Sequence, residues 1–183
     1  MTHAPDITTD RLLLRQVRIE DALDIYNYVR NPNVLRYTTG TPPKEFAETE
    51  AFVRSLVTSP DNSPANDFAW AIRIQGEPTV IGVIEFSISD EQVGSIDYAM
   101  DEAYWNRGLM TEAVRAVLDW GFRTHPAINR VRSAAMTANP ASTRVQEKCG
   151  MAVVRTEYQT WGKFDEPVEV AVCAITRETW MNT

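Results

Sequence analysis

The sequence predicts an α+β (α/β) domain with a mixed, mostly antiparallel sheet of seven strands, a central parallel pair and about four flanking helices. Strand and helix patterns follow one another in the order β-α-α-β-β-β-α-β-α-β-β. Three consecutive short strands predict an antiparallel meander, and the strand–helix–strand crossover that follows them requires a parallel pair. A chain of 183 residues with 44% hydrophobic and 23% charged residues suits a single domain with its own core.

The N-terminal third predicts one strand followed by two helices. Residues 11–17 (RLLLRQV) form the strand. Residues 20–30 follow as an amphipathic helix, which Asn31 and Pro32 end. A second helix starts near Pro43 and turns four apolar side chains inward, namely Phe46, Val53, Leu56 and Val57. Residues 59–66 (SPDNSPAN) then predict a loop.

The rest of the chain predicts the meander, the crossover and a closing pair of strands. The meander consists of three β-branched or aromatic runs between turn residues, at 68–74, 80–87 and 94–100. The crossover helix, residues 108–122, has apolar side chains on one face and charged side chains on the other. Four further elements follow: a strand at 130–135, a helix at 140–149 that Gly150 ends, and two long strands at 151–161 and 168–176.

Charge and composition argue against several classes of function. The net charge of −7 is the opposite of the basic excess that nucleic-acid binding usually needs. No apolar run approaches the roughly 20 residues that span a bilayer, and residues 1–10 lack the pattern of a secretory signal. His3 and His125 have no metal-ligand spacing. We therefore expect no nucleic-acid, membrane or metal partner.

The two cysteines, Cys149 and Cys173, are too few for a disulfide framework. A small buried hydrophobe is the more frequent role of such a residue, and a reactive thiol is the alternative. A reducing compartment is the simpler interpretation, so the sequence predicts a cytoplasmic protein.

The start of the crossover helix is the best candidate for an anion site. The loop Asn106-Arg107-Gly108 leads directly into the helix, where unpaired N–H groups and the helix dipole favour negative charge. Gly108 lets backbone approach a ligand closely, and Arg107 adds positive charge. From these residues alone a phosphate site and a simple tight turn with a solvated arginine are equally supported.

Four segments resemble one family. Residues 104–113 (YWNRGLMTEA) look like the acyl-CoA signature of the GNAT superfamily of N-acetyltransferases, in particular its Rim-type branch of ribosomal-protein N-terminal acetyltransferases, which has Y-W-G-x-G-Y-A-T-E-A there. Residues 9–15 with 20–22, residues 139–151 (NPASTRVQEKCGM) and a closing strand through 177–180 (RETW) resemble that branch in the same order. The resemblance implies a GNAT fold and one N-acetyltransferase domain over residues 8–180, with acetyl-CoA as cosubstrate and no metal.

The resemblance also implies which residues hold CoA. Six consecutive residues would bind the pyrophosphate through backbone N–H groups: Asn106, Arg107, Gly108, Leu109, Met110 and Thr111. The strand at Ala99 and Met100 would pair with the pantetheine arm. Asn139 would hydrogen-bond that arm, and Arg144 would help on the phosphate side. Because Asn followed by Pro is also a good helix N-cap, Asn139 has an alternative role that can coexist with the first.

The candidate catalytic residues depart from the family's general pattern. The superfamily often has a tyrosine seven residues after the asparagine as general acid, but this chain has Gln146 there. In the Rim-type branch a serine three residues after the asparagine takes that role, and Ser142 is present. Ser95 occupies the position where the branch often has a glutamate that acts as the general base. Asp97, on the same strand face, and Glu85, on the neighbouring strand, are the carboxylates that remain, although either can be a solvated face residue.

The missing glutamate favours an acceptor amine of low pKa. Deprotonating a lysine amine of pKa about 10.4 at pH 7 costs about 4–5 kcal/mol, whereas an α-amine near 7.7–8.0 costs only about 1 kcal/mol. A site without a strong base is therefore easier to reconcile with an N-terminal α-amine or another amine of low pKa. The N–H of Met100 is a candidate to polarise the thioester oxygen.

The walls of the acceptor site are less well defined by the sequence. Residues 61–67 and 163–167 are expected to border the acceptor. Five aromatic side chains are either acceptor wall or core: Tyr98, Tyr104, Trp105, Tyr158 and Trp161. Core packing is the better interpretation for Trp105.

The sequence therefore predicts an N-acetyltransferase that moves an acetyl group from acetyl-CoA to a primary amine in a ternary complex. The alternative is a non-catalytic acyl-CoA-binding or regulatory module that has lost its base. A hydrolase that uses Ser142 with His125 is disfavoured, since no nucleophile elbow or acid partner is evident. The acceptor is a small-molecule amine or a peptide N-terminus, and the protein is expected to be a monomer or a homodimer.

Overall fold

The computed structural model describes residues 4–57 and 67–182. The predicted loop at 59–66, most of the expected acceptor border at 61–67, and His3 lie outside the described residues. No helix in the described ranges is long and apolar enough to cross a membrane.

A single mixed sheet forms the centre of the fold, with strands in the order β1-β2-β3-β4-β5-β6-β8-β7. In the described part of the chain the eight strands are β1 Ile7–Thr8, β2 Leu12–Gln16, β3 Asp67–Ile74, β4 Val80–Ile88, β5 Val93–Met100, β6 Arg130–Met136, β7 Ala152–Gln159 and β8 Val168–Thr176. Of these strands only β5 and β6 pair in parallel, as the crossover predicts. The prediction of seven strands was one short, because the two-residue β1 is too brief to leave a periodic pattern.

Six α-helices occur in the described residues, against about four expected. They are α1 Ala22–Val29, α2 Pro32–Leu35, α3 Phe46–Val57, α4 Leu109–Thr124, α5 Pro140–Lys148 and α6 Arg177–Met181. Helix α1 ends at Val29 with Arg30 as its C-cap, and Asn31 caps α2, because its side chain accepts a hydrogen bond from the Asn33 N–H. Residues 177–180 were expected to continue the last strand. They are helical instead, since the Thr176 side chain caps the Thr179 N–H.

The two faces of the sheet carry separate cores. Helix α4 packs on one face with all six of its predicted apolar side chains buried, which are Met110, Ala113, Val114, Val117, Leu118 and Phe122. Helices α1 and α3 cover the other face around Ile25, Val53 and Val83. Phe46 was expected to point inward, but it is 40% exposed and packs edge-on against Tyr26 at the surface.

Strands β5 and β6 diverge in the middle of the sheet. Their parallel register covers only three residue pairs and ends where Ser95 lies opposite Arg132. Beyond that point β5 continues to Met100 beside β4, and β6 continues to Met136 beside β8. The two strands therefore enclose a V-shaped gap that opens toward the end of β5, next to the start of α4.

Candidate active site

One wall of the gap is the free backbone edge of β5. The Asp101 N–H donates to the Ile81 carbonyl at 2.8 Å, on the β4 side. Successive residues of a strand point their backbone N–H groups to opposite edges. Since the Asp101 N–H points toward β4, the N–H groups of Met100 and Tyr98 point the other way, into the gap. Ala99 faces β4, where its carbonyl oxygen would lie 2.7 Å from a Cβ built on Gly82. Of the two residues expected to pair with pantetheine, Met100 thus offers the N–H to the gap.

The loop between β5 and α4 closes one end of the gap. Asp101 caps a short 3₁₀ turn, Glu102–Tyr104, by accepting from the Ala103 N–H. The Trp105 indole N–H donates to the Met100 carbonyl at 2.8 Å, which fixes the loop to the end of β5. Trp105 is 39% exposed, so the expectation that it packs in the core was wrong. Its ring lies at the surface because its indole N–H is held by β5.

The start of α4 has the backbone geometry of an anion site. Asn106 has a φ of 60° and Gly108 a φ of 75°, and left-handed residues in such a loop turn successive N–H groups into a concave arrangement. The first N–H bonded within the helix is that of Glu112, to the Gly108 carbonyl. The N–H groups of Leu109, Met110 and Thr111 come before that of Glu112 and have no partner within the helix, and Gly108 has no side chain to cap them. They lie at the positive end of the dipole of a 16-residue helix.

The side chains of this segment leave the backbone accessible. Leu109 and Met110 bury their side chains in the core, so only their backbone is available to a ligand. Arg107 is exposed, with its guanidinium 5.3 Å from the centre of the Tyr104 ring. The structure therefore brings all six predicted pyrophosphate residues together in one concave turn.

A clamp between the N-terminal segment and α4 supports this turn. Glu112 accepts hydrogen bonds from Thr9 Oγ1 at 2.6 Å and from the Arg11 N–H at 2.9 Å, and it forms an ion pair with the Arg11 guanidinium at 2.6 Å. The same guanidinium donates to the Arg107 carbonyl at 2.9 Å. Burial raises the pKa of Glu112, but the hydrogen bonds from Thr9 and Arg11 outweigh it, so its pKa is lowered and it stays ionised.

The clamp was not predicted from the sequence. Arg11 and Glu112 are 101 positions apart, and neither belongs to a spacing that indicates contact. The only available signal was that both residues fall in family-like segments, which does not say that they touch.

Ser142 lies at the N-terminus of α5, next to a tyrosine from β5. The Tyr98 hydroxyl is 2.9 Å from Ser142 Oγ and 3.2 Å from the Ser142 carbonyl oxygen. Burial raises the pKa of Tyr98 to about 12, although the hydrogen bonds with Ser142 and Gln146 lower it. The phenol therefore remains protonated at neutral pH and acts as a donor. From the sequence Tyr98 was expected only as an acceptor-wall or core aromatic, and its contact with Ser142 was not predicted.

Asn139 and Arg144 are engaged within their own helix. The Asn139 side chain accepts from the Ser142 N–H at 3.3 Å, so the N-cap role that its Pro140 neighbour suggested is present. Arg144 donates to the Pro140 carbonyl and is exposed. CoA contacts of Asn139 and Arg144 stay predictions.

Gln146 is a buried structural residue. It is fully buried and donates through Nε2 to Ser133 Oγ at 2.9 Å. Its Oε1 is buried without a hydrogen-bond partner among residues 4–57 and 67–182. Since an amide has no proton to give up at neutral pH, Gln146 cannot replace the superfamily's tyrosine as an acid.

An acidic cleft opens on the opposite face of the sheet. Glu85 on β4 lies directly opposite Asp97 on β5, and side chains alternate along β5, so Asp97 and Tyr98 point to opposite faces. A cavity of about 290 Å³ is lined there chiefly by Ser55, Leu56, Asp67, Glu85, Ser95 and Asp97. The two predicted carboxylates and Ser95 thus share one cleft, on the face that α1 and α3 cover.

The paired carboxylates Glu85 and Asp97 differ in their affinity for protons. Burial raises the pKa of Glu85 to about 7, with smaller contributions from the charges of Asp97 and Asp67. Burial also raises the pKa of Asp97, but the positive charge of Arg132 opposes that shift. Glu85 is therefore the group that exchanges a proton near neutral pH.

The expected acceptor border at 163–167 is tied to α2. Lys163 Nζ donates to the Leu35 carbonyl at 2.5 Å and lies 3.4–3.5 Å from those of Arg36 and Thr38. Tyr158 is 72% exposed on the outermost strand β7 and does not line the acidic cavity. Lys163 thus fixes this loop to the end of α2, and Tyr158 lies outside the cleft.

Cys149 and Cys173 are both free and buried, as expected of small hydrophobes. Burial raises the pKa of Cys149 to about 11, which keeps the thiol protonated. Over residues 4–57 and 67–182, no group of three or more His, Cys, Asp or Glu side chains could hold a metal ion.

Known proteins resemble this chain over most of its length. The model of a family described as "Acetyltransferase (GNAT) domain" matches residues 11–152. An uncharacterized N-acetyltransferase, YnaD, of Bacillus subtilis is 30% identical over 146 residues, covering 79% of this chain and 81% of that protein. A second, p20 of Bacillus licheniformis, is 28% identical over 139 residues, covering 75% of this chain and 76% of its own.

Solved structures agree with these matches in fold. A GNAT-family acetyltransferase from Bacillus anthracis superimposes with a TM-score of 0.81 at 25% identity, covering 95% of this chain and 99% of that one. The spermidine N-acetyltransferase from Vibrio cholerae, solved with CoA and spermine, gives a TM-score of 0.79 at 17% identity, covering 95% and 100%.

Proposed function

The chain belongs to the GNAT acetyltransferase family and is an N-acetyltransferase, and from that premise we propose that it moves the acetyl group of acetyl-CoA to a cationic primary amine by direct attack in a ternary complex. The observation that carries the proposal is the position of the β5–β6 gap. A pyrophosphate cradle lies at its end, and an acidic cleft lies on the face opposite Ser142. We assign this activity to one domain over residues 8–180, acting in the cytoplasm.

Acetyl-CoA is held mainly by backbone N–H groups. The pyrophosphate of acetyl-CoA binds the N–H groups from Asn106 to Thr111, whose partial positive charge comes from the α4 dipole. Pantetheine leaves the cradle at the Met100 end, lies along the edge of β5 as an added strand and accepts a hydrogen bond from the Met100 N–H. Asn139 and Arg144 contribute from α5, on the other side of the gap. Acetyl-CoA needs no metal in this arrangement.

The thioester is activated further along β5, away from the cradle and beside Ser142. The Tyr98 N–H, rather than the Met100 N–H expected from the sequence, donates to the thioester oxygen, where negative charge grows as the amine attacks. The attack forms a C–N bond, and the collapse that follows breaks the C–S bond, so CoA leaves as a thiolate. Ser142 passes a proton to that sulfur and regains one from the nitrogen, which must lose a second proton as the amide forms, so the serine ends as a hydroxyl. The pKa of the leaving thiol is near the cysteine value of about 8.5, so the leaving group needs only modest help.

The amine enters from the acidic cleft. It loses one proton to Glu85, whose pKa near 7 suits a general base at neutral pH. Asp97 lies beside Glu85 and adds negative charge that attracts a second positive group on the acceptor. Glu85 lines the same cavity as Ser95, so it compensates for the glutamate that Ser95 replaces. The case for a non-catalytic module loses its main support.

The acidic lining favours one class among the candidate acceptors. Three carboxylates in a cleft of about 290 Å³ suit an amine that carries more than one positive charge. A solved relative in fold, the spermidine N-acetyltransferase, was crystallised with spermine. Small polyamines are therefore the first acceptors to test, and peptide N-termini, which the Rim-type resemblance implies, are the second.

A release assay for free CoA thiol tests the proposal. Acetyl-CoA is mixed with the protein and one acceptor at a time: a diamine or polyamine, a monoamine of similar length, and a peptide with a free N-terminus. The expected result is thiol release at least tenfold faster with the polycation than with the monoamine. Equal rates with the polycation and the monoamine would show that the acidic cleft does not select the acceptor. No thiol release with any amine would refute the acetyltransferase activity.

A further inference from the structure

Helix α2 lies on one side of the wide end of the β5–β6 gap, where both strands end. Glu102 lies two residues beyond the end of β5 and accepts hydrogen bonds from Asn31 Nδ2 at 2.6 Å and from Asn33 Nδ2 at 3.1 Å. These contacts tie α2 to the β5 side of the gap. Val34 buries its side chain in the core around α1 and α3, so α2 lies on the face of the sheet that carries the acidic cleft.

The loop between β7 and β8, residues 160–167, lies on the other side of the wide end. Strands β5 and β6 run parallel and β8 runs antiparallel to β6, so β8 begins where β6 ends. Val170 of β8 pairs with Met136, the last residue of β6. The loop that leads into β8 therefore lies on the β6 side. It contains a turn of its own, in which the Phe164 N–H donates to the Trp161 carbonyl at 2.9 Å.

The Lys163 side chain joins the two sides of the gap. Its ammonium donates to the Leu35 carbonyl at the end of α2, and the carbonyl oxygens of Arg36 and Thr38 lie 3.4 and 3.5 Å from Nζ. Carbonyl groups at the end of a helix carry partial negative charge, which a cation stabilises. These contacts, called the Lys163 bridge below, hold the loop to α2 across the wide end.

The acidic cleft ends just before the Lys163 bridge. Glu85 lies opposite Asp97, and the next pair on the same face toward the wide end is Val83 opposite Ala99. Val83 is buried, and Ala99 packs against the same core. Neither residue lines the cleft. An amine held by Glu85 therefore has this apolar pair beside it on one side of the gap and the bridged loop on the other.

We propose that Lys163 determines acceptor specificity, because the loop that it holds across the gap admits amines on unbranched carbons and excludes amines on branched carbons. This inference rests on the proposed function. The nitrogen must come within about 3–3.5 Å of the thioester carbon before it attacks. A second substituent on the carbon next to that nitrogen would then meet either the Val83–Ala99 pair or the loop.

The bridge also ranks the two acceptor classes named above. Small polyamines carry their terminal amines on unbranched carbons. The α-amine of a peptide is attached to a branched carbon at every residue except glycine. The bridged form of the protein therefore favours polyamines over most peptide N-termini.

Lys163→Met is the variant that removes the bridge. It keeps an unbranched apolar side chain but has no ammonium to donate. The Leu35 carbonyl retains partners in this variant, since the Thr38 N–H and Thr38 Oγ1 both donate to it. No carbonyl at that position is left unsatisfied, so the variant is expected to fold. Lys148→Met is the matched control, because Lys148 is exposed on α5 and its replacement removes the same charge.

Two diamines of equal charge test the selection. In 1,4-diaminobutane both amines are on unbranched carbons, and in 2,5-diaminohexane both are on branched carbons with the same spacing. The wild type and Lys148→Met are expected to prefer the first diamine about tenfold or more in kcat/KM. Lys163→Met is expected to reduce that preference about fivefold, by gaining activity on the branched diamine, with the Kd of acetyl-CoA unchanged.

Hydrogen exchange tests the bridge without any acetyl transfer. Amides of residues 160–167 are followed by mass spectrometry in the full chain. They are expected to exchange about fivefold faster in Lys163→Met than in the wild type, because the loop opens more often when the ammonium is absent. Lys148→Met is expected to exchange as the wild type does.

The two measurements separate the possible failures. Unchanged exchange in Lys163→Met would overturn the bridge, and an unchanged preference between the two diamines would overturn the selection, even with full activity. A wild type that acetylates both diamines equally well would also overturn the selection. Absence of transfer to any amine would refute the proposed function and the selection with it, whereas the exchange rates would still show whether Lys163 holds the loop.

Discussion

At the scale of single residues, the contact between Tyr98 and Ser142 is the most informative in the molecule. The Tyr98 phenol stays protonated and lies 2.9 Å from Ser142 Oγ, in a contact in which either hydroxyl can donate and which orients the serine. Ser142→Ala is expected to lower kcat about tenfold to a hundredfold, with little change in the Kd of acetyl-CoA. Tyr98→Phe is expected to lower kcat by a smaller factor, because Ser142 keeps its hydroxyl but loses its orientation.

Steady-state kinetics and acetyl-CoA titrations of the two single variants and the double variant provide the measurement. If Tyr98 acts through Ser142, the double variant is no slower than Ser142→Ala alone. Tyr104→Phe serves as a control tyrosine in the loop before α4. Unchanged kcat in Ser142→Ala would remove both residues from the mechanism, whereas additive losses would show that they act separately.

Glu85 gives the site a dependence on pH. Because burial and neighbouring charge raise its pKa to about 7, Glu85 is mostly protonated below that pH and accepts a proton from the amine above it. With an acceptor whose own pKa lies above 9, kcat/KM is expected to rise through a limb near pH 7. Glu85→Gln is expected to abolish that limb and to lower kcat/KM about a hundredfold.

The buried Glu85 carboxylate also makes the stability of the fold depend on pH. A carboxyl group whose pKa is raised on folding stabilises the fold at low pH, and it loses that contribution as pH rises from about 4.5 to about 7. Glu85→Gln is therefore expected to be more stable than the wild type at pH 8, as measured by thermal unfolding. Glu91→Gln, an exposed loop carboxylate, is the control for both measurements. A limb near pH 7 that persists in Glu85→Gln would assign the base elsewhere.

At the scale of elements, the clamp between the N-terminal segment and α4 holds the cradle. Glu112→Gln keeps the shape of the side chain but removes its charge, so the ion pair with Arg11 is lost. The expected cost is about 1 kcal/mol in free energy of unfolding, because Arg11 is half-exposed and water screens the pair. The Kd of acetyl-CoA is expected to rise several-fold with kcat at saturation unchanged.

Denaturant unfolding and acetyl-CoA titration measure these two effects. Asp119→Asn is the matched control, since Asp119 pairs with Arg123 on the exposed face of the same helix. An unchanged Kd in Glu112→Gln would mean that the cradle keeps its shape without the clamp.

Elements with a strong local pattern could be predicted from the sequence. Helix α4 follows from its apolar periodicity, and the cradle follows from Gly108 at the helix start. The two-residue β1 and the four-residue α2 are shorter than the window in which periodicity becomes visible. The α6 segment was misassigned because a cap at Thr176, rather than a hydrophobic pattern, determines its conformation.

The candidate site was predictable only in part, because most of its contacts join distant segments. The backbone cradle is local in sequence, so a motif could identify it. The neighbours of Ser142, Glu85 and Glu112 come from other strands or from the N-terminal segment, and their roles depend on register and burial. The exposed position of Trp105 likewise depends on its hydrogen bond to the end of β5.

At the scale of the whole molecule, one sheet separates two chemical environments. The face under α4 and α5 carries Ser142 and Tyr98, and the face under α1 and α3 carries the acidic cleft. The divergence of β5 and β6 is the place where a thioester can be reached from both faces. Donor and acceptor can therefore bind at the same time, which a direct transfer requires.

The most direct test of that central claim counts products. Wild-type protein is incubated with acetyl-CoA and a polyamine, free CoA thiol is measured continuously, and the acetylated amine is quantified by mass spectrometry in the same sample. The account predicts one acetylated amine for each thiol released, and no acetylated protein along the way. Tight binding of acetyl-CoA without thiol release above the buffer rate, or an acetylated side chain that transfers its group to the amine, would contradict it.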